Sequence, residues 1–177
     1  MLNQEELKRF RRELHTFPEV SGQEAETAKR IVKQIRATNP TQVIDNIGGH
    51  GIAAIYGTKG KTVMVRCELD ALPIQEINEF DHKSTIDQVS HKCGHDGHMA
   101  ILVGLADYLG NNLPEEGRVV LLFQPAEENG EGAKAILADP KFESIQPDFV
   151  VALHNIPGEP KDKVLCKTGS FTPAVQS

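Results

Sequence analysis

The residues most able to do chemistry fall into four short stretches: Glu68-Leu69-Asp70, Cys93-Gly94-His95-Asp96-Gly97-His98, Glu127-Glu128 and a single His154. Together they offer a thiol, imidazoles and carboxylates, the donor types that bind divalent transition metals. Cys93 and His95, two residues apart, can serve one ion or neighbouring ions without long-range assembly. Taken alone, the pair reads as a buried thiol beside a surface histidine. Gly94 and Gly97 permit tight backbone geometry ahead of a helix, where the positive end of the dipole is expected to favour the Cys93 thiolate. Two adjacent carboxylates at Glu127-Glu128 can divide the labour, one as ligand and the other as proton carrier. Alone they would read as a solvated charge pair. His154 alone reads as a rim histidine and gains meaning only from the set. Cys67 and Cys166 lack such company and are expected to be buried thiols.

These groups need a scaffold that brings distant stretches to one place. Asn3 with Glu6 has the form of a capping box, and Leu7, Phe10 and Leu14 follow at helical spacing up to Phe17-Pro18. Ser21 with Glu24 suggests a second capping box, ahead of an apolar stripe at Ala28, Ile31, Val32 and Ile35 that closes before Pro40. Gly51 to Tyr56 and Thr62 to Leu69 read as strands, pairing with each other across Gly57-Thr58-Lys59-Gly60. Leu102, Leu105, Ala106 and Leu109 share a helical face, with Gly110 as a stop. Val119 to Phe123 and Phe149 to Leu153 are apolar throughout, as expected of strands buried on both faces, with a short helix near Ala133 to Leu137 between them. The order predicts an α/β fold in three layers, helix, sheet, helix. Each reactive stretch then follows a strand or precedes a helix, where ligand sites of such sheets gather.

Composition is consistent with this scaffold. The 177 residues are 39% hydrophobic and 25% charged, with 15 Gly and 10 Pro, which fits one globular domain. A net charge of -6 argues against partnership with nucleic acid or an anionic membrane. The charged opening MLNQEELKRFRREL has no signal-peptide form, and no apolar run approaches the ~20 residues that span a bilayer. Three cysteines are a sparse, odd set that suits a reducing compartment, so a cytoplasmic location is expected.

Five stretches, Leu14-His15-Thr16-Phe17-Pro18-Glu19-Val20-Ser21, Leu69-Asp70-Ala71-Leu72-Pro73-Ile74-Gln75-Glu76, His91 to His98, Phe123 to Glu128 and Leu153 to Gly158, resemble one family in that family's order. It is the amidohydrolase branch of the aminoacylase and carboxypeptidase G-like metallopeptidases, the group of hippurate hydrolases, auxin-conjugate hydrolases and N-acetyldiaminopimelate deacetylases. The resemblance implies a zinc-exopeptidase-like catalytic domain that hydrolyses the amide bond of N-acyl amino acids or similar small amides through metal-activated water. It also implies two divalent metal ions, whether zinc, manganese, nickel or cobalt. Cys93 would bridge them, His95 and His154 would complete one site, and Glu128 would bind the other ion. Glu127 would be the general base, and Asp70 would orient a ligand imidazole from behind. The family usually has Asp where this chain has Glu68, and no role follows for Glu68.

Family members are longer, with a lid and dimerisation domain inserted soon after the strand matching Val164 to Phe171. Residues 1–177 would thus be part of a catalytic domain, with one histidine ligand and the lid missing. The expected consequences are self-association through an exposed sheet and weak or no activity of this chain alone. The alternative is an inactive or weakly active metal-binding fragment. A structural zinc module fits less well, because it would use four closed Cys and His ligands rather than carboxylates.

Overall fold

A computed structural model describes residues 2–160 and 163–169. The chain runs through α1 (Gln4–Thr16), α2 (Ala25–Arg36), β1 (Gln42–Ile47), β2 (Gly51–Lys59), β3 (Thr62–Glu68), α3 (His95–Asn111), β4 (Gly117–Gln124), α4 (Gly132–Ala138), a 3-10 helix (Pro140–Ile145) and β5 (Phe149–Ala152). The strands form one mixed sheet in the order β1-β2-β4-β3-β5. β1, β2 and β4 pair antiparallel, whereas β3 lies parallel to both β4 and β5.

Alternation along the strands separates two cores, because successive side chains leave opposite faces of a sheet. Ile52, Ala54 and Tyr56 of β2 join Leu121 and Phe123 of β4 under α1, α2 and α3, whose Phe10, Ile31 and Met99 face them. Ala53 and Ile55, with Val120 and Leu122, pack on the other face against Ile136 and Ile145. The three-layer α/β architecture is therefore present. Phe123 is wholly buried, and its truncation to Ala should cost about 3–5 kcal/mol. At the start of α1 the Asn3 capping box is formed: Asn3 Oδ1 accepts from the Glu6 amide at 3.0 Å, and Glu6 Oε2 accepts from the Asn3 amide at 2.8 Å.

Several local expectations are corrected. β2 and β3 do not form a hairpin, since β4 lies between them. Glycines make room for it: a Cβ on Gly57 would sit 2.5 Å from the Gly117 carbonyl, and one on Gly60 would sit 2.9 Å from the Gly117 nitrogen. The start of β4 thus enters the gap between Gly57 and Lys61, and the Arg118 amide donates to Lys61 O. The second capping box is absent. Ser21 turns to Asp70 instead, Glu24 makes no side-chain cap, and the Glu19 carboxylate receives two amides of the first turn of α2, those of Glu26 and Thr27. Gly110 does not stop α3, which continues to Asn111; its missing side chain lets the Thr38 carbonyl approach.

β1 carries only a mixed signature, with Val43, Ile44 and Ile47 packed into the two cores. Its Asp45 and Asn46 are polar, and the pairing with β2 is irregular between Asp45 and Ile47. β5 departs from expectation in a different way. It occupies the sheet edge with Phe149 62%, Val150 59% and Val151 51% exposed, because nothing among the described residues covers its outer side. Cys166 is exposed, not buried, while Cys67 is buried as expected. Residues 163–169 form no strand, and the remainder of the expected Val164 to Phe171 strand lies outside the described residues. Among the described residues no helix is long and apolar enough to cross a membrane.

Candidate metal centre

Parallel pairing determines where the reactive stretches end. In the β3/β4 ladder Glu68 is opposite Gln124, and in the β3/β5 ladder Arg66 is opposite Ala152. All three strands therefore release their chains at one sheet edge: Leu69-Asp70 from β3, Pro125 to Glu128 from β4 and Leu153-His154 from β5. α3 begins at the same edge, with Gly94 as its N-cap at φ 101°. Glycine is required there twice over, by the left-handed backbone and by Asn155, whose Oδ1 would lie 2.5 Å from any Cβ.

The structure brings Cys93, His95, Glu127, Glu128 and His154 together. Cys93 Sγ lies 3.3 Å from His154 Nε2. His95 Nε2 is 3.8 Å from a carboxylate oxygen of Glu127 and 3.8 Å from one of Glu128. Two triads, Cys93/His95/His154 and His95/Glu127/Glu128, each have donor atoms within 4.8 Å of one another. His95 is shared by both. It is buried, whereas His154 is exposed on the uncovered side near β5.

Asp70 lies behind this group. The His95 Nδ1–H donates to the Asp70 main-chain carbonyl at 2.8 Å, with the carboxylate Oδ1 farther off at 3.5 Å. The imidazole is thereby set with Nε2 toward the cluster. The other carboxylate oxygen of Asp70 accepts from Ser21 Oγ at 2.7 Å and from the Glu128 amide at 2.9 Å. Asp70 thus ties the β3 end to the β4 end.

Two groups lie beyond the expected set. Glu68, at the end of β3, is buried and accepts from His98 Nδ1–H at 2.8 Å while pairing with Arg66 at 3.0 Å. His98 Nε2 in turn contacts Asn155 Oδ1 at 2.8 Å, next to His154. Glu68, His95 and His98 make a third close triad. A signal for it is present in the sequence: His98 is one turn beyond His95 on α3, so the two rings share a face.

The electrostatics are those of a crowded anionic pocket. Burial pushes the Cys93 thiol up to about 12, and the Glu128, Glu127 and Glu68 carboxylates reinforce it. The dipole of α3 does not offset them, so the expected thiolate is not favoured by the protein alone. Burial likewise raises Glu128, aided by Glu127 and Asp70. For His95, burial lowers the pKa, but Asp70 and Glu68 outweigh it and hold the ring above the ordinary histidine value. Burial would raise Asp70, yet the His95 ring beside it and the bonds from the Glu128 amide and Ser21 bring it below the usual carboxylate value. A divalent cation would meet the demand at Cys93 and Glu128, since it stabilises thiolate and carboxylate together, and would take the place of the proton on His95 Nε2. The fit is also visible in unmet bonding: His95 Nε2 and Glu128 Oε1 are buried without a hydrogen-bond partner among the described residues. Such atoms are costly unless a ligand serves them.

The sequence profile of Peptidase family M20/M25/M40 matches residues 64–172, which include Asp70 and every residue of the three triads. The chain belongs to this peptidase family. Among M20 relatives, it is 35% identical over 170 residues to the hippurate hydrolase of Campylobacter jejuni subsp. jejuni, covering 95% of this chain and 44% of that protein. It is 38% identical over 175 residues to the N-acetyl-L-cysteine deacetylase of Bacillus subtilis, covering 94% of this chain and 40% of that one. A solved M20 structure, the YXEP protein of Bacillus subtilis, is described as a dinuclear metal-binding peptidase. It superposes with a TM-score of 0.79 at 34% identity, over 87% of this chain and 43% of that chain. The chain therefore spans a little under half the length of the relatives it matches.

Proposed function

We propose that this chain is part of the catalytic domain of a metal-dependent amidohydrolase acting on N-acyl amino acids or similar small amides. The observation that carries the reading is the pair of unpartnered buried atoms, His95 Nε2 and Glu128 Oε1, facing a thiol, a second carboxylate and a second imidazole. Cys93, His95, His154 and Glu128 would hold two divalent cations, from among zinc, manganese, nickel and cobalt. When bound, the cations supply Lewis acidity that acidifies water and offsets charge developing on the amide oxygen. Glu127 accepts the proton of the attacking water and returns it to the departing amine. Its position suits this role: its side chain is 38% exposed, more open than Glu128 at 17%, and Arg66 lies 3.9 Å away. Asp70 keeps the His95 ring turned toward the cluster.

The substrate class follows the names of relatives at 34–38% identity, a hippurate hydrolase, an N-acetyldiaminopimelate deacetylase and an N-acetyl-L-cysteine deacetylase. The exposed apolar edge at β5 would be covered by further polypeptide or by a second copy, and a cytoplasmic location suits the free thiols. Neither nucleic acid nor membrane is proposed as a partner.

The test is a hydrolysis assay with hippurate and N-acetyl amino acids, with the remaining length of a relative's catalytic domain supplied in trans. Amine release that a chelator abolishes and added metal restores is the expected result. Hydrolysis indifferent to chelator, or none under any metal, would overturn the reading.

A further inference from the structure

Glu24 has the sequence position of a cap for α2, and the structure employs it elsewhere. Its side chain is wholly buried, and one oxygen, Oε1, accepts from the Gly22 amide at 2.8 Å and from the Ala126 amide at 2.8 Å, 102 positions away. The other oxygen has no partner among the described residues. Glu19 has taken over the capping of α2, so capping does not account for Glu24.

Its distant partner is unusual. Ala126 has φ 48°, in the left-handed region that residues with a Cβ rarely occupy, and it immediately precedes Glu127 and Glu128. Both of its backbone polar groups are held: the N–H by Glu24, and the C=O by the Gly132 amide at 2.8 Å. Behind the turn, Gly132 leaves no slack, since a Cβ there would fall 1.6 Å from the Pro125 carbonyl. Two residues on, the Glu128 amide is held by Asp70. Left to itself, the peptide before Ala126 would relax by rotating to negative φ, and that rotation would swing both carboxylates away from His95. A buried acceptor makes the rotation cost a buried hydrogen bond.

We propose that Glu24 is a positioning residue, a buried acceptor that holds Ala126 in its left-handed turn and thereby aims Glu127 and Glu128 at the metal centre. The proposal rests on the reading of Glu127 and Glu128 as metal-centre groups. The segment between α1 and α2 supplies no ligand, yet it braces the centre at two points. Ser21 steadies Asp70, while Glu24 steadies the turn before the paired glutamates.

The experiment uses the full 177-residue chain. Amide hydrogen exchange reports the turn directly, and Mn²⁺ titration by calorimetry reports the centre. Glu24→Ala should raise exchange within residues 126–130 while leaving α3 and β4 protected, and should weaken Mn²⁺ binding by ~10- to 100-fold, the range for groups that orient a ligand. Glu24→Asp, too short to reach Ala126, should act in the same direction and decides the matter if Glu24→Ala does not fold. Glu24→Gln keeps an oxygen acceptor and should stay close to the native chain in both readouts. Adding Ala126→Gly to Glu24→Ala should recover part of the Mn²⁺ affinity, because glycine occupies positive φ without penalty. Native exchange and affinity in both Glu24→Ala and Glu24→Asp would overturn the proposal, as would a Glu24→Gln variant as impaired as Glu24→Ala. If the native chain binds no Mn²⁺, the metal reading fails, while the exchange comparison still decides whether Glu24 holds the turn.

Discussion

Two clusters of imidazole and carboxylate flank the first turn of α3, built from the same residue types. In one, His15 stands between Asp96 at 2.9 Å and Glu76 at 3.0 Å, with Arg11 also on Asp96 and Lys92, Asn78 and the Ser84 amide on Glu76. Both ring nitrogens of His15 face carboxylates, so the ring serves as a double donor, and every oxygen of Glu76 is used. In the other, His95 Nε2 and Glu128 Oε1 have no partner among the described residues, and the cations near the carboxylates are few. The first is not satisfied throughout, since Asp96 Oδ1 and both nitrogens of the buried His91 lack hydrogen-bond partners among the described residues. Yet its charges balance within the protein. The second has four carboxylates, Glu68, Asp70, Glu127 and Glu128, around a thiol and two buried imidazoles, His95 and His98, with Arg66 as the nearby countercharge. Residue type therefore does not separate a structural network from a functional one. Unbalanced charge does, together with donor atoms gathered within reach of one point.

The largest effects are expected on the unbalanced side. In any preparation that shows the proposed hydrolysis, Glu127→Gln should lower the rate by ~10² to 10⁴ with metal retained, because it removes a proton acceptor and keeps the shape. Steady-state kinetics with elemental analysis would check this, and loss of metal along with activity would make Glu127 a ligand instead. Next in size is Cys93→Ser, which exchanges a soft thiolate for a poor neutral donor. Metal affinity should fall by ~100-fold or more, at or beyond the upper range for groups that stand behind a ligand. Unchanged metal content would remove Cys93 from the centre, and with it the contrast between the two clusters.

The smallest effect belongs to the balanced cluster and appears in stability, not in metal binding. The hydrogen bond to Asp96 leads the causes that raise His15 above the ordinary histidine value, against the opposing effect of burial. Burial would raise Glu76, but Lys92, Ser84 and Asn78 bring it to about 2. The raised histidine contributes stability that is complete below its unfolded pKa and is lost as pH rises through the folded one. The depressed carboxylate contributes stability present above its unfolded value and lost as pH falls through about 2. The network should therefore be strongest in mildly acidic solution. His15→Ala should cost roughly 1.5–3 kcal/mol there, the range for a hydrogen bond to a charged group, and should flatten the loss on the alkaline side. Urea unfolding across pH tests this, and an alkaline limb identical in the variant would contradict it.

Much of this arrangement was legible in the chain. Cys93, His95, Glu127-Glu128 and His154 were visible because each follows an apolar run or precedes a helix, and parallel strands end at one edge. Glu68 and His98 were harder: their meaning depends on a contact between β3 and α3 that local pattern does not express. Glu24 looked like a cap because capping boxes are local, whereas its actual partner is Ala126, far along the chain. The hairpin expectation failed because short-range turn signals at Gly57 to Gly60 cannot show that β4 will pass between β2 and β3. β5 reads as a core strand from its composition, but a strand is buried only when something lies on it.

On the proposed reading, the unbalanced cluster is a metal centre with Cys93 among its ligands. Cobalt(II) titration of the native chain, followed by absorption spectroscopy beside Cys93→Ser, addresses it most directly. Saturable binding with a thiolate-to-cobalt charge-transfer band is expected in the native chain, and no such band in the variant. An absence of saturable binding, or a band that survives the loss of Cys93, would contradict it.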